Sequence, residues 1–359
     1  VSLERLRRAL ARRIERGLVA VLGLVLGAFG RRAALGEPIR RVLVLRVDPR
    51  VGNVLLTTPL LDLLAEACPD AEVSALVAAS KQGLVPEPTR AIAFDKRAIV
   101  RAPLRFAREL WAVRALRADV AIDASHVHEL STTSSLLLAW TGAPVRIAHA
   151  RPGASWVATL CVPAPDGDET VAKCSLAWPL LGPGARPVRP MRTELGREGA
   201  GAALAEAAMP RDRRWVGLMP GARKPDHRLD PAVFAGAARV ARAAGYTPIV
   251  LWGPGEEALA APVVAAGAEL APPTDLDALA GCLRRCAAVV ANDTGPMHLA
   301  VAVGAPTLGL FVAGDHARWG HADAPHVVLD LCGLDAEARV DQVAGALSAM
   351  LARAASRDR

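Results

Sequence analysis

The stretch "VVANDTGPMHLAVAVGAPTLGLF", residues 289–311, decides the fold class. An apolar run ends at Asn292-Asp293, Thr294-Gly295-Pro296 opens a helical pattern that stops at Gly304, and Pro306 leads into a second apolar run. A strand, a helix and a strand with short joins form a parallel β-α-β unit, because the helix carries the chain back to the same end of the sheet. The first-turn amides of a helix beginning at Thr294 have no intrahelical acceptor, and they carry the positive end of the helix dipole. With the Thr294 hydroxyl and the bare backbone of Gly295 they make a candidate anion site, and His298 lies one turn on. The same residues also read as a plain Asp293/Thr294 helix cap. The dipole contributes only about 0.3–1 kcal/mol in exposed settings, so binding needs other groups to converge.

Two neighbouring segments supply such groups. "GLMPGARKPDHRLDPAVF" follows another strand, and its loop carries Gly221, Arg223, Lys224, His227 and Arg228. Standing alone this is a solvated basic loop; beside an anion site it reads as a phosphate loop. "VLWGPGEEALA" places Glu256 and Glu257 just after a strand at a helix start. Carboxylates there suit the dipole, and they also accept hydrogen bonds from ribose hydroxyls in nucleotide folds.

The alternation extends along the chain. "RVLVLRV", "AEVSALVA" and "ADVAIDAS" read as strands, separated by helices over "VLLTTPLLDLLAEAC" (with Pro59 kinking it or setting its local start), "LRFARELWAVRAL" and "TTSSLLLAWTG". A Pro/Gly/Ala-rich connection follows, and then strands "WVGLMPG", "YTPIVLWG", "AAVVAND" and "PTLGLFV" alternate with helices. The helix over "DPAVFAGAARVARAAG" has Asp230 as its cap, Pro231 in its first turn and Gly245 as its stop. In "TDLDALAGCLRRC", Thr274 and Asp277 stand at capping-box spacing. "DAEARVDQVAGALSAMLARAA" is a closing amphipathic helix. The expected fold is α/β, with two doubly wound domains facing a cleft at the carboxyl ends of their sheets.

In the first half, "RVDPRVGNVLLTTPLLDLL", residues 46–64, has the strand, tight turn and helix start where such folds place chemistry, yet Gly52 is followed by Asn53. An amide takes no proton at neutral pH. Asp48 lies in the same loop, either as a base or as a cap for the turn with Pro49. His126 and His128 of "DASHVHELS" read as polar residues at a cleft edge, with metal and acceptor binding as the other readings. The triplets at 166–168 and 275–277 match a metal-binding D-x-D, but the second is explained as a helix start and the first sits in a Pro/Gly loop.

Composition bounds the rest. The 359 residues suit about two domains, and the six cysteines contain no C-x-x-C pair, so neither a disulfide framework nor a zinc finger is indicated. Cys282 and Cys286 fall in a helical pattern as reduced thiols. The net charge of +7 is partly local, since the first 16 residues hold six Arg and two Glu. Nucleic acid ranks last among the partners such a charge suggests, and none is expected: there is no basic recognition helix and no aromatic-rich RNA-binding signature. In residues 1–30, Leu3, Leu6, Leu10, Ile14 and Leu18 share one helical face, arginines fill the others, and an uncharged run follows from Gly17 to Gly30. The reading that fits best is a helix lying in an anionic headgroup layer; a helix packed on the domain or a partner, and a signal or true span, stay open.

Taken together, these segments resemble glycosyltransferase family 9, the lipopolysaccharide heptosyltransferases. The resemblance rests on "NDTGPMHLA…GAPTLGLF", "PGAR…F…A…GYTPIVLWGPGEE" and "VLVLRVDPRVGNVLLTTPLLDLLAEACPDAEV", and it spans residues 39–345. It implies a GT-B fold of two Rossmann-like domains, and transfer of a sugar, often heptose from ADP-heptose, with inversion and without a tightly bound metal or cofactor. It implies a lipid-linked glycan acceptor and a cytoplasmic enzyme, peripheral on the inner membrane. By the same resemblance Asp293, Thr294 and Gly295 contact sugar and diphosphate, His298 matches the motif's histidine, and Glu256 matches the ribose-binding glutamate. Where the family usually has a phosphate-binding lysine this chain has His227, leaving Arg228, Lys224 or Arg223 to replace it. Where the family commonly has Gly-Asp, with the aspartate as general base, this chain has Gly52-Asn53. A general base is worth ~10²–10⁴ in rate, and here that role falls to Asp48 or to a group the sequence does not identify.

The expected domains are an amphipathic membrane-interface helix at 1–38, an acceptor domain at 39–185, a linker at 186–213, a nucleotide-sugar domain at 214–330 and a C-terminal helix at 331–359. Two rivals stand beside a transferase: a weakened relative that binds nucleotide sugar or glycan within an envelope-assembly complex, and a soluble nucleotide-sugar epimerase. The epimerase would need a Gly-rich dinucleotide fingerprint after a strand, and the sequence has none.

Overall fold

The computed structural model describes residues 38–128, 131–182, 184 and 186–357, together with Gly17 and Val21. The helix expected over residues 1–30 lies outside this set except for those two positions. The chain divides into two compact units at Pro190/Met191.

The first unit carries a six-stranded sheet: β1 (Arg41–Arg46), β2 (Glu72–Ala78), β3 (Arg90–Phe94), β4 (Val120–Asp123), β5 (Val145–His149) and β6 (Leu160–Val162). Their spatial order is β3-β2-β1-β4-β5-β6, and every pair is parallel. Parallel strands are covered on both faces, so the central strand is apolar throughout: Val42 to Leu45 are buried. Pro59 resolves the helix that follows into two, Val51–Leu55 and Thr58–Ala67. Proline has no N–H to give the Leu55 carbonyl four residues back. The Thr58 hydroxyl donates to that oxygen at 2.8 Å, and the Thr57 hydroxyl donates to Asn53 O at 2.9 Å.

The second unit repeats the winding with β7 (Trp215–Met219), β8 (Thr247–Val250), β9 (Glu269–Leu270), β10 (Cys286–Asn292), β11 (Thr307–Phe311) and β12 (Val327–Asp330). Their order is β12-β11-β10-β7-β8-β9, again all parallel. The helix Pro231–Ala243 begins as read, with the Asp230 carboxylate accepting from Ala232 N at 2.8 Å. It packs with the closing helix Ala336–Arg357 over a core that includes Leu218, Phe234, Val290, Leu308 and Leu347.

Two local readings are corrected. The helix Leu276–Arg284 is capped by Asp275, whose carboxylate accepts from Ala278 N, so Thr274 and Asp277 form no capping box. Asp277 instead accepts from Gly196 N at 2.8 Å and Gly201 N at 3.0 Å. That ties the helix Gly199–Ala208 to Leu276–Arg284, where a Cβ on Gly281 would sit 2.6 Å from the Gly201 carbonyl oxygen. Cys286 is not helical; it opens β10, and its thiol donates to Cys282 O.

In each sheet the strand order reverses once, between β1 and β4 and between β7 and β10. Ligands of doubly wound folds bind beyond the carboxyl ends of the strands at that reversal.

Candidate functional site

At the reversal of the first sheet, charged groups are buried to a degree rare for a strand end. Arg46, the last residue of β1, is 2% exposed; Asp123, the last of β4, is 1% exposed; Glu169 and Lys173 are 1% and 0% exposed. Such groups stay inside only when paired. Asp123 accepts from Ser125 N at 2.9 Å and from the Ser125 hydroxyl at 3.0 Å, and it pairs with Arg151. Arg151 also donates to His126 O. Lys173 donates to Ser125 O at 2.7 Å and pairs with Glu169 at 2.7 Å. Arg46 donates to Ala124 O at 2.6 Å.

His126 sits in the middle of this set. Arg46 Nη2 lies 3.4 Å from His126 Nε2, and Asn53 Nδ2 lies 3.2 Å from the same nitrogen. An arginine nitrogen only donates, so Nε2 is the acceptor and the ring proton sits on Nδ1. Nδ1 faces Glu169 Oε1 at 3.6 Å. The Glu169 contact pulls the His126 pKa up, but burial and the nearby Arg46 and Lys173 charges prevail and leave it below its ordinary value. Glu169 is held below the usual carboxylate range: burial opposes this, and His126 and Lys173 outweigh it. Lys173 is lowered to about 8, chiefly by burial.

Asn53 and Gly52 are buried in the helix Val51–Leu55, and the Asn53 amide is aimed at His126. Asp48 is half-buried, and its Oδ1 accepts from Arg50 N at 2.7 Å, which caps its own turn.

At the reversal of the second sheet the groups are more open. Asp293 follows β10, and its Oδ2 accepts from His227 Nδ1 at 2.9 Å. Lys224 Nζ lies 3.3 Å from His227 Nε2, so the donation runs from Lys224 through His227 to Asp293. An ammonium thus reaches the histidine that stands where a lysine is expected. Burial raises the Asp293 pKa, with His227 opposing. Thr294 is the N-cap of the helix Gly295–Ala302, accepting from Met297 N at 3.4 Å and donating to Asn292 O at 3.2 Å. Thr294 and Gly295 keep partial exposure.

Glu256 accepts from Gly253 N at 2.9 Å and lies flat on Gly221, where any Cβ would fall 2.1 Å from its carboxylate oxygens. Gly221 therefore lets the loops after β7 and β8 touch. Arg228 turns back onto Ala222 O at 2.6 Å, while Arg223 stays exposed. His298 is buried, its Nδ1 2.8 Å from His321 Nε2, and burial lowers it to about 3. The structure thus joins Lys224, His227 and Asp293, sets Glu256 against Gly221, and gives His298 a separate partner.

Sequence reading passed over Glu169 and Lys173. Their signal was present: Asp168 caps the helix Glu169–Ser175, its carboxylate accepting from Thr170 N and Val171 N, and Glu169 and Lys173 stand at the i,i+4 spacing of an ion pair. The triplet at 166–168 is that cap. Among the described residues, no group of three or more His, Cys, Asp or Glu side chains is placed to hold a metal.

Comparison with known proteins gives a consistent result. The model for glycosyltransferase family 9 (heptosyltransferase) matches residues 105–342. Lipopolysaccharide heptosyltransferase 3 of Escherichia coli is 25% identical over 295 residues, 75% of this chain and 82% of that protein. The crystal structure of a family 9 glycosyl transferase from Veillonella parvula superposes with a TM-score of 0.74 at 20% identity, covering 89% of this chain and 100% of that one. The E. coli ADP-heptose lps heptosyltransferase II gives a TM-score of 0.69 at 18% identity, covering 87% and 99%.

Proposed function

The chain belongs to glycosyltransferase family 9, the heptosyltransferases, with the paired Rossmann-like sheets of a GT-B enzyme, and we propose that it is an inverting transferase for lipopolysaccharide core or a related surface glycan. The donor in this reading is a nucleotide sugar, ADP-heptose, and the acceptor is a lipid-linked glycan. The observation that carries it is the convergence at the second reversal point: the half-exposed helix start at Thr294 and Gly295, the Lys224–His227–Asp293 chain and Glu256 packed on Gly221. A lysine on the loop and the positive end of a helix dipole suit a diphosphate, and a carboxylate beside them suits ribose hydroxyls. The second unit then holds the donor and the first the acceptor. Departure of a nucleoside diphosphate is eased by donors fixed before the reaction.

We also infer contact with an anionic membrane. No helix among the described residues is long and apolar enough to cross a bilayer. On the helices Ala98–Arg101 and Pro103–Ala115, however, Val100, Leu104 and Trp111 are 85%, 77% and 63% exposed, interleaved with exposed Arg97, Arg101, Arg105 and Arg108. Apolar and aromatic side chains framed by arginines suit a headgroup layer. Replacing Val100 and Leu104 by Asp should cut sedimentation with phosphatidylglycerol vesicles several-fold; unchanged sedimentation removes this face from the interaction.

Asn53 favours a second reading, a member that binds nucleotide sugar without turning it over. The two part on one measurement: release of ADP from ADP-heptose in the presence of heptose-deficient lipopolysaccharide. Release supports the transferase. Binding of ADP without release, together with release by Asn53→Asp, supports the binder.

A further inference from the structure

We propose that His126, oriented by Glu169, is the general base that takes the acceptor proton in this chain, an assignment that rests on the transferase reading above. A base needs an unprotonated atom in position and a third group to hold it there. His126 Nε2 lies 3.2 Å from the amide of Asn53, beside the point where a carboxylate at position 53 would act. The other ring nitrogen, Nδ1, meets Glu169 Oε1 at 3.6 Å, and Glu169 is itself fixed by Lys173 at 2.7 Å. The imidazole keeps 30% side-chain exposure whereas Glu169 keeps 2%, so the ring is open to a substrate and its orienting carboxylate is not. Asp48 is the rival, and one of its oxygens is engaged by the Arg50 amide.

The step balances simply. The acceptor hydroxyl oxygen attacks the anomeric carbon as that carbon's bond to the diphosphate oxygen breaks. The bonding pair leaves with the nucleoside diphosphate, and the hydroxyl proton passes to His126 Nε2. The imidazolium then donates from both nitrogens, with Glu169 countering its charge. Asn53 and Arg46 occupy Nε2 at rest, so an arriving hydroxyl displaces weak contacts of 3.2 and 3.4 Å.

The surroundings keep the ring in its basic form. Arg46 from β1, Lys173 from the helix Glu169–Ser175 and Arg151 after β5 face two carboxylates, Asp123 from β4 and Glu169. His149, at the end of β5, is held neutral by burial, and Asp48 lies near Arg46. His126 therefore stays neutral until the pH falls below its ordinary value, and activity should drop on that acid side.

The test uses the full chain with ADP-heptose and heptose-deficient lipopolysaccharide, reading ADP release, alongside calorimetric binding of ADP. His126→Gln should lower kcat by ~10²–10⁴ with ADP affinity unchanged. His126→Gln with Asn53→Asp should recover much of that loss and move the acid limb to the lower pH of a carboxylate. Glu169→Gln removes the charge that raises the His126 pKa, so the acid limb should shift down while the plateau falls. A His126→Gln protein within about threefold of wild type overturns the assignment, since a base is worth far more. So does an acid limb unmoved by Glu169→Gln in protein that still binds ADP, or a loss on Asp48→Asn greater than on His126→Gln. Failure of the wild type to release ADP overturns the transferase reading and this assignment with it, whereas turnover by wild type and His126→Gln alike overturns this assignment alone.

Discussion

The two reversal points share a topology and differ in electrostatics. Around β1 and β4 the charges are buried, with Asp123 paired to Arg151 and Glu169 to Lys173; around β7 and β10 the groups sit on half-exposed loops with one ammonium at the surface. The same winding therefore supports two kinds of site. A buried network fixes protonation states and ring orientation before any ligand arrives. An open rim of donors leaves room for an anion that brings its own charge.

The largest difference between the two sites is expected at Lys173. Lys173→Met leaves Glu169 buried without its cation, and removing one partner of a buried pair costs about 3–5 kcal/mol. Urea unfolding should show that loss, and a change under about 1 kcal/mol would mean that the first site is wetter than its burial indicates. The pH direction follows from Glu169. Its folded pKa is depressed, so its stabilisation is complete above the unfolded value of about 4.3 and fades as the pH drops below it. Glu169→Gln should flatten this acid-side fall.

Lys224→Ala tests the open site. Hydrogen bonds to charged groups are worth about 1.5–3 kcal/mol, so ADP affinity should fall roughly 10- to 100-fold with little change in stability. Calorimetry that shows no loss would separate Lys224 from the diphosphate. The smallest effect belongs to Thr294→Ala. Loss of an N-cap costs about 0.5–2 kcal/mol, and the 3.4 Å contact to Met297 N points to the low end. A stability loss above that range would mean that the Thr294 hydroxyl is bound more tightly than its geometry shows.

Much of this was legible in the sequence where composition and punctuation agree. Strand β10 and the helix after it stand out because an apolar run meets Asn, Asp, Thr, Gly and Pro in order. The edge strands did not stand out. β3, "RAIAF", is short and half-buried, and β9 has two residues. β5, "VRIAH", looks too polar for a strand buried along its whole length, yet Arg146 is accommodated there by donating to Val157 O at 2.7 Å and Ala143 O at 2.7 Å. Those partners are distant or out of pattern, so no local rule reveals them. The site divides the same way. Asp293 and Thr294 carry their meaning in adjacent residues, whereas His126, Glu169 and Asn53 acquire theirs only when β1, β4 and the helix Glu169–Ser175 meet.

Asn292 shapes the basic loop. Its side chain is fully buried; Oδ1 accepts from Leu229 N at 3.2 Å and Nδ2 donates to Pro220 O at 2.9 Å. One amide thus clasps both ends of the basic loop at 221–228 and closes it into a ring. Much of the conformational entropy of that loop is surrendered when the domain folds, not when an anion arrives. Asn292→Ala should leave every basic side chain of that loop in the sequence and still weaken ADP binding, through an entropic penalty visible in the temperature dependence of the affinity.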